Sequence, residues 1–216
     1  MIKGVIFDVD GTLLDTERIY MAAWKEAGKN AGYDIPDDVL LKTRAISSKA
    51  AHRIYKDAMG EDFNYMDLHA ERVRIAEETI SRKEDLLMPG VAGTLQWLKE
   101  KGIVMAVASS TVLEKTVSHL QHANLLSWFD AVVGGDMVEN GKPAPDIFLK
   151  AADLLRLLPE ECVVVEDSPA GIRAAYAANM IPVLIPDCVP ENPETKALSA
   201  AVLKSMEQLA AFLENY

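Results

Sequence analysis

Asp8 and Asp10, in "VIFDVDGTLLDT" (residues 5–16), stand two residues apart directly after an apolar run. A carboxylate at the end of a buried strand is costly unless a partner uses it. Side chains at i and i+2 of an extended chain share one side, so the two acids can act on one group. One can attack an electrophile while the other trades a proton with a leaving oxygen or an incoming water. Three further clusters follow later apolar runs: Ser109, Ser110 and Thr111; Lys142 in "GKPAPDIF"; and Glu166, Asp167 and Ser168. Crowded carboxylates repel one another, and a divalent cation or protonation of one member relieves them. Oxygen donors without His or Cys suit Mg²⁺ bound together with a substrate phosphate, and argue against zinc. Lys142 and the hydroxyls would then meet phosphate oxygens that the metal does not reach.

The elements that must position these residues are legible as short β-branched runs. "GVIF" (4–7), "IVMAVA" (103–108), "DAVVG" (130–134), "CVVV" (162–165) and "IPVLI" (181–185) lack period-two alternation, as strands of a parallel sheet covered on both faces do. A weaker strand is signalled near Ala200–Leu203. Helices lie between the later strands. Thr111 with Glu114 reads as a capping box, Ser168-Pro169 as an N-cap followed by Pro at the first helical position, and Ser205 with Gln208 as the start of the last helix. Strands alternating with helices predict an α/β fold, a doubly wound parallel sheet. Such sheets bind ligands beyond the carboxyl ends of their strands, where all four clusters fall.

Between the first and second strands the chain reads as helices only. Ile19, Tyr20, Ala23, Trp24 and Ala27 share one face; Ala51, Ile54, Tyr55, Ala58 and Met59 share another, with Gly60 ending that helix. A third helix is predicted from about Asn64 to Ser81. Residues 15–87 are therefore expected to form a small all-helical domain inserted into a catalytic core of residues 1–14 and 88–216. It should hinge near residues 13–16 and 84–90 and close over the site as lids do.

Bulk properties bound the function. The net charge of −11 among 216 residues argues against nucleic acid or an anionic membrane as partner. Residues 15–87 hold 12 Lys/Arg against 15 Asp/Glu, leaving 10 against 18 elsewhere, so the acidic excess lies mainly outside the insertion. No apolar stretch is long enough to cross a membrane, and the early onset of the aspartate motif sets the expectation of a chain without a signal peptide. Cys162 and Cys188 have no metal-binding spacing and fit a reducing compartment. The expectation is a soluble, cytoplasmic, monomeric protein acting on a small molecule.

"DVDGTLLDT", "ASS", "GKPAPDIF" and "EDSPAGIRAA", in that order, resemble the haloacid dehalogenase superfamily, in its phosphatase and phosphomutase branch. The resemblance spans residues 5–185, with the insertion similar to the family's helical cap. It implies a Rossmann-like core with the first strand beside the 162–165 strand. It implies Asp8 as nucleophile, Asp10 as general acid/base, Ser109 on the phosphoryl group and Lys142 balancing its charge. It also implies Mg²⁺ held by Asp8, the Asp10 carbonyl and Asp167, with Glu166 beside or among the ligands. Ser110, Gly11, Thr12, Thr16 and Tyr20 complete the candidate substrate contacts, and Arg44, Ser48, Arg72 and Arg74 are further candidates on the insertion.

Several of these residues have plainer roles open to them. Asp15 suits a helix N-cap and hinge, Thr12 a bond to its own loop, and Ser110 and Thr111 the cap of the next helix. His52, His69, His119 and His122 fall on helices away from the cluster. Two reactions fit the acids: hydrolysis of an aspartyl phosphate, or its return to a sugar phosphate as in β-phosphoglucomutase. The mutase pattern carries a His where Tyr20 stands, an Arg where "AISSK" offers Ser48, and Lys-Asn where Val112-Leu113 follow the hydroxyls. These departures favour a phosphatase. A non-catalytic binding protein on this fold would be expected to lack Asp8, Asp10 or Lys142, and none is missing.

Overall fold

The computed structural model describes residues 1–43 and 48–216; the candidate Arg44 lies outside them. The chain forms two compact units, residues 1–15 with 85–216, and residues 16–84.

The first unit is built on six parallel strands: β1 (Gly4–Phe7), β2 (Val104–Ala108), β3 (Ala131–Val133), β4 (Cys162–Glu166), β5 (Ile181–Leu184) and β6 (Ala201–Val202), in the order β3-β2-β1-β4-β5-β6. The weakly signalled last strand is thus present, as a two-residue edge. β1 is central. Gly4 pairs with Val104 on one side and Cys162 on the other, and Phe7 with Val107 and Val165. This register brings the ends of β1, β2 and β4 level, so the residues that follow them emerge at one edge. The strand order reverses between β1 and β4, the switch point at which open sheets bind ligands.

Both faces of the sheet are covered, which explains the absence of alternation. Ile6, Ala106 and Val164 share a buried cluster with Ile147, Phe148, Ala151, Ala174 and Ala175. The last five lie on helices α7 (Asp146–Leu155) and α8 (Pro169–Ala177), numbered in chain order. Val5, Phe7, Val163 and Val165 are fully buried as well. Leu95 and Leu98 of α5 (Val91–Glu100) and Leu120 of α6 (Leu113–His122) are equally buried. At ~25 cal/mol per Å² of apolar area, such continuous burial is the dominant favourable contribution to folding.

The second unit contains α1 (Glu17–Asn30), α2 (Asp37–Lys42), α3 (Ser48–Met59) and α4 (Tyr65–Arg82). Its core gathers Trp24, Ile35, Leu40, Tyr55, Phe63 and Tyr65. The Tyr55 and Phe63 rings stack at 5.3 Å, and Trp24 lies 4.7 Å from Tyr55. Ala58, predicted on the buried face of α3, is exposed. Gly60 follows α3 with φ +100°, its amide bonded to Lys56 O, and Asn64 caps α4 by accepting from the Asp67 amide. α1 starts after Thr16, not Asp15. Thr16 occupies the N-cap position without a side-chain capping bond, while the Asp15 amide donates to Leu86 O at 2.8 Å. The strands of chain entering and leaving this unit are tied within the first unit: Leu14 bridges Leu87, and Met88 N donates to Leu13 O. No helix of the described residues is long and apolar enough to cross a membrane.

Candidate active site

Asp8 leaves the end of β1 and remains 7% exposed, its amide still bonded to Val165 O of β4. The chain then turns sharply: the amides of Thr12, Leu13 and Leu14 all donate to Val9 O, and Gly11 takes φ +87°. A left-handed residue is needed there, which glycine adopts at no steric cost. The turn leaves Asp10 half-buried beside Asp8.

Lys142 enters from the loop between β3 and α7, with a cis bond to Pro143. Its ammonium donates to Asp8 Oδ1 at 2.5 Å, Glu166 Oε1 at 2.7 Å and Ala108 O at 3.2 Å. Three donors thus meet three acceptors, contributed by β1, β4 and β2. The nitrogen also stands 4.9 Å from the Phe148 ring centroid, a cation–π contact that suits a dehydrated ammonium.

Glu166 is fully engaged. Oε1 takes Lys142, while Oε2 accepts from the Ser168 amide and hydroxyl, both at 2.8 Å. Ser168 in turn caps α8 by accepting from Gly171 N, as predicted, with Pro169 at the first helical position. The carboxylate lies so close to the first turn of α8 that a Cβ on Gly171 would fall 1.8 Å from Oε1. Only glycine fits.

Asp8, Glu166 and Asp167 each offer a carboxylate oxygen within 4.8 Å of the others, and all three are buried. Burial first, and then repulsion from Glu166 and Asp10, hold the Asp8 carboxyl well above its ordinary range despite the opposing pull of Lys142. Burial would by itself lower Lys142, but Asp8 and Glu166 outweigh it and keep the ammonium above its usual value. A buried donor set made only of carboxylate oxygens fits a hard divalent cation.

The hydroxyl cluster differs from expectation. Ser109 is buried, its amide bonded to Val133 O, and its hydroxyl oxygen accepts from the Thr111 amide at 3.1 Å. Ser110 is exposed. Thr111 does not cap α6: Val112 occupies the N-cap position without a side-chain cap, and Thr111 Oγ1 donates to Asp10 Oδ2 at 3.3 Å. The predicted capping box is therefore absent, and the Thr111 hydroxyl meets an acid 101 residues away instead. Thr12, expected to bond its loop, is buried with no hydrogen-bond partner for its hydroxyl. Ser205 does not cap the last helix either; a 3₁₀ turn precedes α10 (Leu209–Asn215), and Gln208 accepts from Lys204 N.

Thr16 and Tyr20 belong to the second unit. Thr16 is buried, and Tyr20 carries the Arg72 guanidinium 4.2 Å above its ring. Arg72 also lies 5.8 Å from Trp24, and its Nε is buried without a partner. Arg74 is consumed by Glu71 and Glu78 at 2.7 and 2.8 Å. His52 stacks on Tyr65, and His119 is buried on α6. Sequence reasoning passed over Thr111 as a partner of Asp10, Phe148 under Lys142, and the constraint on Gly171; the last was signalled by a glycine in the first turn of a predicted helix.

A parallel sheet with an acidic cluster at its switch point and a helical insertion after the first strand defines a Rossmann-like α/β core. The haloacid dehalogenase-like hydrolase family model matches residues 2–179. The chain belongs to that family. Among curated relatives, the phosphorylated carbohydrates phosphatase of Thermotoga maritima is 34% identical over 183 residues, covering 82% of each chain. The fructose-1-phosphate phosphatase of Escherichia coli is 34% identical, covering 82% of this chain and 93% of its own. Among solved structures, the β-phosphoglucomutase of Clostridium difficile superposes with a TM-score of 0.82 at 26% identity, over 100% of this chain and 96% of that one.

Proposed function

We propose that the protein is a Mg²⁺-dependent phosphatase that hydrolyses a small organic phosphate monoester, in the class of sugar phosphates, through an aspartyl phosphate. The observation that carries this is the buried set Asp8, Glu166 and Asp167 with Lys142 bonded to Asp8. Asp8, the Asp10 carbonyl and Asp167 would hold the metal, with Glu166 beside them. Bound there, Mg²⁺ would neutralise the acids and the phosphoryl charge so that an anionic nucleophile can approach an anionic substrate.

In the first step an Asp8 carboxylate oxygen forms a bond to phosphorus as the ester oxygen departs and takes a proton from Asp10. In the second, Asp10 accepts a proton from water, whose oxygen attacks phosphorus and releases inorganic phosphate and the free Asp8 carboxylate. Lys142 and Ser109 steady the phosphoryl oxygens, with Ser110, Gly11 and Thr12 lining the approach. The partnerless Thr12 hydroxyl has an unused donor to offer. Thr16 and Tyr20 are proposed as contacts from the helical unit.

Phosphatase is favoured over phosphomutase because Tyr20 and Val112-Leu113 stand where the mutase pattern has groups suited to a second phosphate. Named relatives include phosphatases of phosphorylated carbohydrates, which supports the substrate class. Hydrolysis of p-nitrophenyl phosphate with and without Mg²⁺, followed by a panel of phosphorylated metabolites, tests the proposal. Mg²⁺-dependent release of phosphate is expected. Conversion of β-glucose 1-phosphate into its 6-phosphate isomer would show a mutase instead, and inactivity with every metal would favour a binding protein.

A further inference from the structure

Helix α6 opens with Val112 at its N-cap, a residue with no polar side chain, yet its first amide is not left bare. Asp136, in the short 3₁₀ turn after β3, accepts from the Leu113 amide through Oδ1 at 2.7 Å. A carboxylate at this position satisfies an orphan donor and complements the positive end of the helix. Two glycines permit the approach. A Cβ on Gly134 would lie 2.2 Å from Leu113 N, and one on Gly135 would lie 2.3 Å from Ser110 O. Gly135 N also donates to Thr111 O at 2.8 Å. The exit of β3 therefore grips residues 110–113 directly.

The consequence concerns Thr111. Were it the cap, its hydroxyl would turn toward the α6 amides. Because Asp136 caps the helix across the fold, Thr111 Oγ1 is released to donate to Asp10 Oδ2, while its amide donates to Ser109 Oγ. We infer that Asp136 is a positioning residue for the reaction: by capping α6 in place of Thr111, it sets the Ser109–Thr111 loop and lets Thr111 orient the Asp10 carboxylate. The inference rests on the phosphatase activity proposed above.

The test is a double-mutant cycle read by Mg²⁺-dependent hydrolysis of p-nitrophenyl phosphate. Misplacement of a positioned group by about 1 Å can cost ~100-fold, so Asp136→Ala is expected to lower kcat about ten- to a hundredfold. The Mg²⁺ dependence should not change, because Asp8 and Asp167 leave other strands. Asp136→Asn keeps an acceptor oxygen and should restore most of the rate. Combined with Thr111→Val, Asp136→Ala should add little beyond Thr111→Val alone, since the two act as one unit. Asn192→Ala removes the cap of α9 (Pro193–Leu198), where Asn192 accepts from Thr195 N at 2.9 Å, and should leave kcat unchanged. An unchanged kcat in Asp136→Ala, an additive double variant, or an equal loss in Asn192→Ala overturns the inference. If the parent protein hydrolyses no phosphomonoester, the proposed function fails separately. Hydrogen exchange at the Thr111 and Leu113 amides then decides the placement: faster in Asp136→Ala and recovered in Asp136→Asn supports it, and no change overturns it.

Discussion

Lys142 Nζ lies 2.5 Å from Asp8 Oδ1 across 134 residues of sequence, with neither side chain more than 9% exposed. A second carboxylate, Glu166, shares the same ammonium at 2.7 Å. The pairing is dry and oversubscribed: two acids lean on one cation, and Asp10 and Asp167 stand beside them. Burial makes each of these charges expensive to leave unpaired.

Asp8→Asn should abolish turnover, by at least about a thousandfold, because it removes the proposed nucleophile. The fold should be unharmed. Asn keeps the shape of the carboxyl group and relieves its repulsion with Glu166 and Asp10, and Lys142 retains Glu166. Scanning calorimetry in the presence of a chelator should find the variant at least as stable as the parent. Residual turnover near the parental rate would remove Asp8 from the role proposed.

Lys142→Ala should do the opposite to stability. It strands Asp8 and Glu166, and removing one member of a buried ion pair typically costs about 3–5 kcal/mol. Added Mg²⁺ should recover more stability in this variant than in the parent, since it supplies the missing positive charge. Equal Mg²⁺-induced shifts in melting temperature for both proteins would count against a cation seated among these acids.

Gly171→Ala places a methyl group 1.8 Å from Glu166 Oε1, and that carboxylate is held by Lys142 and Ser168. Overpacking of this kind costs about 1–3 kcal/mol, and the displaced acid should loosen Lys142 as well. Activity is expected to fall about tenfold or more, with KM for p-nitrophenyl phosphate rising. A crystal structure of the variant with Glu166 unmoved would refute this account.

Cys162 gives a pH dependence away from the site. It is fully buried, and burial followed by Glu161 and Glu160 pushes its thiol from 9.0 to about 11. The folded value exceeds the unfolded one, so the associated stability is intact below pH 9 and is lost as pH rises toward 11. The loss amounts to about 2–3 kcal/mol. Chemical denaturation from pH 8 to 11 should show the parent losing more stability than Cys162→Ala. Parallel pH profiles would show that the thiol ionises as readily in the fold as in the unfolded chain.

What could be read without coordinates was local or compositional. Continuous apolar runs such as "CVVV" marked strands covered on both sides, and all six strands formed where apolar runs were found. Ser168-Pro169 announced the start of α8, because the capping serine and the first-turn proline act on their own backbone. Thr111, by the same local logic, was expected to cap α6. That expectation failed because Asp136, 23 residues beyond Leu113, supplied the acceptor for the Leu113 amide instead. Ala58 missed the core of its unit for a similar reason: helical periodicity places a residue on a face, and packing decides how much of that face is covered.

The order of the four motifs, the oxygen-only donor set and the buried character of the strands were determined by the sequence alone, since each depends on residue type and near neighbours. The tertiary structure decided the partners: Lys142 on Asp8 and Glu166, Thr111 on Asp10, Asp136 on α6. Hydrogen bonds reach about 3 Å, and which groups come within that reach depends on loops converging from distant strands, not on any neighbour along the chain.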